Sequence, residues 1–211
     1  MLRDIEREVE LTHGLTGRAR ISDRVLDALR CVPRHAFVDE GMRRHAYDDG
    51  PLPIGHGQTI SQPFIVGLMT DLLDPEPGDR VLEVGTGSGY QAAVLSRVVS
   101  RVYSVEIIEA LAVRASERLP ALGYHNVETQ VGDGYHGWVE HSPYDGILVT
   151  AAARAVPPAL VEQLKPGARL VIPVGEPYLP QRLLLLQKEE GGLVSETEVL
   201  PVAFVPLTGG H

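Results

Sequence analysis

Apolar positions change their spacing once along the chain. Before residue 75 they recur at helical intervals. In "SDRVLDALRCVP", Val25, Leu26 and Leu29 share one face, Ser22 stands at the N-cap position and Pro33 ends the run, and residues 1–50 as a whole read as helical. Gly50, Pro51, Pro53, Gly55 and Gly57 make residues 50–60 a loop. "QPFIVGLMTDLL" restores the helical period with Pro63 in its first turn, and "DPEPGD" breaks the chain.

From Arg80 onward, short apolar runs alternate with helical patterns. "RVLEVG", "RVYSVE", "NVETQVGD", "YDGILVTAA" and "ARLVIPVG" predict buried strands, and "GYQAAVLSRVV", "EALAVRASERLPALG" and "VPPALVEQL" predict helices. "QRLLLLQKEEGGLVSETEVL" predicts two strands about a Glu-Gly-Gly turn, and "VAFVPL" closes the chain. The class is α/β: a mostly parallel, doubly wound, Rossmann-like sheet with an antiparallel edge and an N-terminal helical extension. A length of 211 residues suits one domain, 1–211, with a helical cap over 1–75 that carries the loop 50–62, and an α/β core over 76–211.

Composition narrows the partners. A net charge of −9 argues against nucleic acid and anionic membranes, both of which select basic faces. A single cysteine, Cys31, excludes an internal disulfide. "MLRDIEREVE" lacks the apolar stretch of a leader, and no apolar run approaches the ~20 residues of a membrane span, so a cytoplasmic protein is expected. His13, His35, His45, His56, His125, His136, His141 and His211 show no metal-binding HExxH spacing, and no metal is expected.

The candidate chemistry lies in "EVGTGSG", where a strand meets a helix. Gly85, Gly87 and Gly89 are spaced GxGxG rather than the GxGxxG of dinucleotide sites, and Glu83 precedes them. Missing side chains let a backbone turn tightly and let a ligand approach; a tight turn without a ligand is the other reading. Glu106 ends the next strand 21 positions after Gly85 (106 − 85), where an acid accepts hydrogen bonds from two ribose hydroxyls. Asp133, in "VGDGYHG", suits an exocyclic amine such as that of adenine, or a plain Asp-Gly turn. The set fits a ligand with an adenosine half, and no Walker sequence accompanies it.

"LEVGTGSGYQAA" resembles the first motif of Rossmann-like S-adenosylmethionine-dependent methyltransferases. With "VPRHAFV", "AYDDGPLPIGHGQTISQP", "VYSVE", "GDGYHGW", "YDGILVTAAA", "LVEQLKPGARLVIPVG" and "FVPL" in this order, the chain resembles the protein-L-isoaspartate (D-aspartate) O-methyltransferase family over roughly residues 20–208. "GQTIS" is its most specific piece. Ala168 stands where glycine is common, and His56 occupies a variable place. The resemblance implies methyl transfer from S-adenosylmethionine, leaving S-adenosylhomocysteine, to the α-carboxylate of L-isoaspartyl and, less well, D-aspartyl residues of damaged proteins, which then pass through a succinimide. It implies cofactor contacts at Glu83, Gly85, Thr86, Gly87, Ser88, Gly89, Glu106, Asp133, Gly134 and Thr208, and substrate contacts at Gln58, Thr59, Ile60 and Ser61. Ser61, the family's active-site serine, together with Thr59 would orient the carboxylate without acting as a covalent nucleophile. A carboxylate with pKa near 4 is already ionised at neutral pH, so no general base is needed. Capping of the following helix remains a second reading of Ser61, and an ordinary tail residue a second reading of Thr208. A methyltransferase for small carboxylates or phenols, and a cofactor-binding adaptor without turnover, are the competing functions.

Overall fold

In the computed structural model, residues 1–177 and 179–210 are described; Tyr178 and His211, one of the histidines considered above, lie outside the described residues. The N-terminal third holds α1 (Leu2–Thr16), α2 (Asp23–Cys31), a hairpin of β1 (Leu52–Gly55) and β2 (Gln58–Ile60), and α3 (Pro63–Leu73). The remainder alternates β3 (Arg80–Val84), α4 (Tyr90–Ser96), β4 (Arg101–Glu106), α5 (Glu109–Ala121), β5 (Val127–Val131), β6 (Tyr144–Val149), α6 (Pro158–Glu162) and β7 (Leu164–Val174), then β8 (Gln181–Lys188) and β9 (Val194–Val202).

The seven-stranded sheet has the order β5-β4-β3-β6-β7-β8-β9. The first five strands run parallel, and β8 and β9 add antiparallel pairs at one edge. Side-chain alternation divides the core in two. Val81, Leu148 and Val171 face the layer that holds α1 to α5, whereas Leu82, Val84, Ile147 and Leu170 face α6 and Trp138. Strand β3 is buried on both faces, which is why it reads as a continuous apolar run broken only by Glu83. The chain leaves β3 toward β4 on one side and returns as β6 on the other. The tips of β3, β4 and β6 therefore border the crevice where open α/β sheets take ligands.

Several elements differ from the sequence expectation. Residues 34–37 and 40–45 form 3-10 turns rather than α-helix. Residues 52–60 are a hairpin rather than a loop, with Leu52 opposite Ile60 and Pro53 opposite Thr59. Its two turn residues, His56 and Gly57, both have positive φ (54° and 73°), the condition of a type I′ turn. Strand β7 begins at Leu164, four residues before the apolar run, because Leu164 pairs with Tyr144 across a register irregularity. Ser22 stands at the α2 N-cap without a capping side-chain bond; its N–H donates to buried Asp71 Oδ1 at 2.8 Å and ties α2 to α3. Among the described residues, no helix is long and apolar enough to cross a membrane, and no group of three His, Cys, Asp or Glu side chains is placed to hold a metal.

Candidate active site

The strand-to-helix turn after β3 forms the floor of a cavity at the sheet's carboxyl edge. Gly85 has φ +98°, and Thr150, at the tip of β6, packs where a Cβ would stand. The Thr150 hydroxyl donates to the carbonyl oxygens of Gly85 (2.6 Å) and Val84 (3.1 Å), locking turn and strand together. Gly87 also lines the cavity, whereas Thr86 and Ser88 line a small recess beside it. Gly89 lines neither; it is the α4 N-cap and packs on Leu119.

Glu106 ends β4 and turns its carboxylate into the cavity. Oε2 accepts from Gly87 N–H at 2.8 Å and Oε1 from Ile108 N–H at 2.9 Å. A carboxylate has about four acceptor positions, so roughly two remain for a pair of neighbouring hydroxyls. Glu106 is the one ionisable side chain on the cavity wall among the described residues. A cavity with one carboxylate and no lysine or arginine suits a cationic ligand and disfavours a pyrophosphate.

Glu83, expected among the cofactor contacts, does not line the cavity. Its side chain is fully buried behind the turn, away from the cavity wall, where Ser104 Oγ donates to Oε2 and in turn shares a 2.5 Å hydrogen bond with Thr86 Oγ1. Glu83 Oε1 makes no hydrogen bond of good geometry among the described residues, although the Ala92 backbone N–H faces the carboxylate. Burial pushes the Glu83 carboxyl up to about 8; the Ser104 bond opposes that rise and the Glu106 charge adds to it.

Asp133 does not line the cavity either. Its Oδ1 accepts from Tyr135 N–H at 2.9 Å, and its Oδ2 from Gly210 N–H at 2.9 Å, so the carboxylate holds the C-terminal tail rather than facing the cavity. Gly134, Leu207 and Thr208 do line the cavity. The tail reaches it by pairing with the residue beyond β6: Ala152 N–H donates to Val205 O and Leu207 N–H to Ala152 O, each at 2.8 Å.

A second, wider groove runs alongside between α1, the start of α3 and residues 200–205. Thr59 and Thr150 border both the cavity and this groove, and Ser61 borders the groove and the recess. Gln58 faces the cavity, while Ile60 is anchored in the core. The capping role of Ser61 is excluded: Gln62 is the α3 N-cap, without a side-chain cap bond. Two residues at this junction were not expected from the sequence. Thr150 lies in an ordinary apolar strand ending, and Gln91, on the recess wall, has its amide donated to Thr70 Oγ1 at 2.8 Å. The only sequence signal for Thr150 is a polar residue at a parallel strand's carboxyl end.

This geometry fits S-adenosylmethionine: a cradle that a Cβ would fill, a carboxylate with free acceptor positions and a wall without cationic side chains. A family model described as protein-L-isoaspartate (D-aspartate) O-methyltransferase matches residues 7–211. The chain is 57% identical over 211 residues to protein-L-isoaspartate O-methyltransferase 2 of Syntrophobacter fumaroxidans, covering 100% of this chain and 85% of that one. It is 56% identical to the enzyme of the same name from Polaromonas sp., covering 99% of each. A solved protein-L-isoaspartate O-methyltransferase structure superposes with a TM-score of 0.85 at 31% identity, over 99% of this chain and 66% of that one. The fold is shared with a Plasmodium falciparum crystal structure described as a putative member in complex with S-adenosyl-L-homocysteine, at TM-score 0.78 and 24% identity, over 98% of this chain and 97% of that one. With its match running through nearly every residue, the chain belongs to the protein-L-isoaspartate (D-aspartate) O-methyltransferase family.

Proposed function

We propose that the cavity at the tips of β3 and β4 holds the cofactor, that the adjoining groove holds the damaged peptide, and that Ser61 and Thr59 orient the reacting carboxylate at their border. The enzyme transfers a methyl group from S-adenosylmethionine to the α-carboxylate of L-isoaspartyl residues, and less well to D-aspartyl residues, and so initiates repair through a succinimide. The cofactor supplies a methyl group on a positively charged sulfur. Glu106 holds the ribose hydroxyls; Gly85, Thr86, Gly87 and Ser88 carry the methionine end; Gly134 and Thr208 flank the base. Glu83, Gly89 and Asp133 act behind that wall, the first two by supporting the turn and the third by holding the tail.

The observation that carries this reading is the Ser61 side chain, released from capping α3 and placed where groove and recess meet. The substrate oxygen arrives ionised, so Ser61 and Thr59 need only donate hydrogen bonds that fix its approach. Neutral donors leave more electron density on that oxygen than an ammonium group does. Among the described residues, neither the cavity nor the groove is lined by histidine, lysine or arginine. The tail and the β1–β2 hairpin both border the cavity, and a step that abolishes opposite charges is favoured wherever water is excluded.

Ser61→Ala is expected to lower kcat about 10- to 100-fold, the worth of one hydrogen bond to a charged group, with cofactor affinity within about twofold of wild type. Full turnover would remove the orienting role. Glu106→Ala is expected to weaken cofactor binding by about 1–3 kcal/mol in calorimetry, since it strips the hydroxyl acceptor and leaves two backbone N–H groups unpaired. An isoaspartyl peptide assayed beside its aspartyl twin tests the substrate: equal labelling would defeat the reading and favour a broader carboxyl methyltransferase. In this reading residues 1–75 form the cap bearing the substrate loop 50–62 and 76–211 the cofactor core. The partners are damaged proteins in a reducing cytoplasm, not nucleic acid or membrane, which the net charge of −9 supports.

A further inference from the structure

One wall of the groove has no part in methyl transfer. Helix α1 supplies it through Glu8 and Thr12, one turn apart on the same face. The Thr12 hydroxyl donates back to the Glu8 carbonyl oxygen at 2.7 Å, so its proton is committed within the helix. The Glu8 carboxylate is different. It is half-buried, whereas Glu6 and Glu10 on the same helix are exposed, and it takes part in no hydrogen bond or ion pair among the described residues. It is also the one ionisable side chain on the groove wall among the described residues. A carboxylate drawn partly out of water on a groove wall gains from a cation placed against it. Ile65 and Phe204, which line the same groove, offer apolar surface for the long stem of a lysine or arginine whose charged head reaches Glu8.

We infer that Glu8 is a specificity-determining residue. It receives a lysine or arginine flanking the isoaspartyl residue, so that the enzyme favours damage within basic stretches and disfavours damage flanked by acids. The inference rests on the reading that this groove holds the isoaspartyl peptide. Because Ser61 and Thr59 border the same groove, one extended peptide engages the orienting hydroxyls and Glu8 together.

The test uses isoaspartyl peptides identical except for neutral, lysine or glutamate residues placed two to four positions to either side. With the wild-type enzyme, KM for the best lysine-flanked peptide is expected to be about two- to fivefold below that of the neutral one, the size of a half-exposed ion pair, and glutamate at that position should raise it. Glu8→Gln should collapse these differences with kcat unchanged, and Glu8→Lys should reverse them. Glu10→Gln removes the same unit charge from another face of α1, beside a separate depression, and should retain the wild-type preference. A wild-type enzyme indifferent to flanking charge would overturn the inference. So would a preference that survives in Glu8→Gln, which would trace it to the overall charge of −9. Both outcomes leave the isoaspartyl reading intact; failure to methylate any of these peptides, alongside normal cofactor binding, would overturn that reading and this inference with it.

Discussion

Gly85→Ala is expected to reduce methyl transfer by at least about 100-fold and to weaken cofactor binding more than loss of Glu106 does. Two separate costs add. An L-residue at φ +98° is strained by about 1–3 kcal/mol. The new Cβ also falls on the Thr150 side chain, well inside contact of Oγ1 and 3.6 Å from its Cβ. Thr150 cannot step aside freely, because its hydroxyl donates to both Gly85 O and Val84 O, and turning it away costs about 1–2 kcal/mol more. Since Thr150 borders the cavity and the groove alike, its displacement deforms both at their junction. The double change Gly85→Ala/Thr150→Ala removes the clash but not the backbone strain, so it should recover part of the lost affinity. Calorimetric titration with S-adenosylhomocysteine and steady-state turnover measure both effects. A single variant with wild-type affinity would show that the turn adapts without Thr150, and the cradle argument would fall.

The same turn shows what the chain discloses locally and what it withholds. Alternating glycines between an apolar run and a helical pattern, followed by an acid at the next strand's end, made Gly85, Gly87 and Glu106 legible, because strand, turn and strand tip are set by neighbouring residues. The parallel sheet with an antiparallel edge was legible for the same reason. The β1–β2 hairpin was not. Pro51, Pro53 and two glycines signal a loop, and His-Gly is not one of the usual type I′ pairs; the inward positions Leu52, Ile54 and Ile60 were the weaker clue. The depth of Glu83 was not legible, because motif position says nothing of depth: the residue stands on a strand buried on both faces, and its side chain lies behind the turn. Asp133 meets Gly210, 77 residues later, a contact no local pattern reveals. Thr150 likewise acquires its place only when β6 returns beside β3.

Glu83 carries the other large effect, on stability. Its carboxyl in the unfolded chain ionises near 4.5, and burial moves it to about 8 in the fold. Between those values the folded protein keeps a proton that the unfolded chain has released, so the unfolded state binds fewer protons and stability falls as pH rises. Below pH 4.5 the group contributes no slope, and above about 8 the loss is essentially complete, on the order of 5 kcal/mol for the full separation. Glu83→Gln keeps the shape and cannot ionise. Thermal unfolding without added cofactor should therefore show wild type losing stability relative to Glu83→Gln from pH 5 to 8, by roughly 10 °C in Tm for a chain of this size. At pH 5 the order should narrow or invert, because a glutamine amide brings two N–H donors to a pocket where Ser104 is the side-chain partner of Glu83 and Oε1 already lacks one. Parallel Tm profiles for the two proteins across this range would mean that Glu83 ionises near its ordinary value despite full burial, and that solvent reaches the back of the glycine turn.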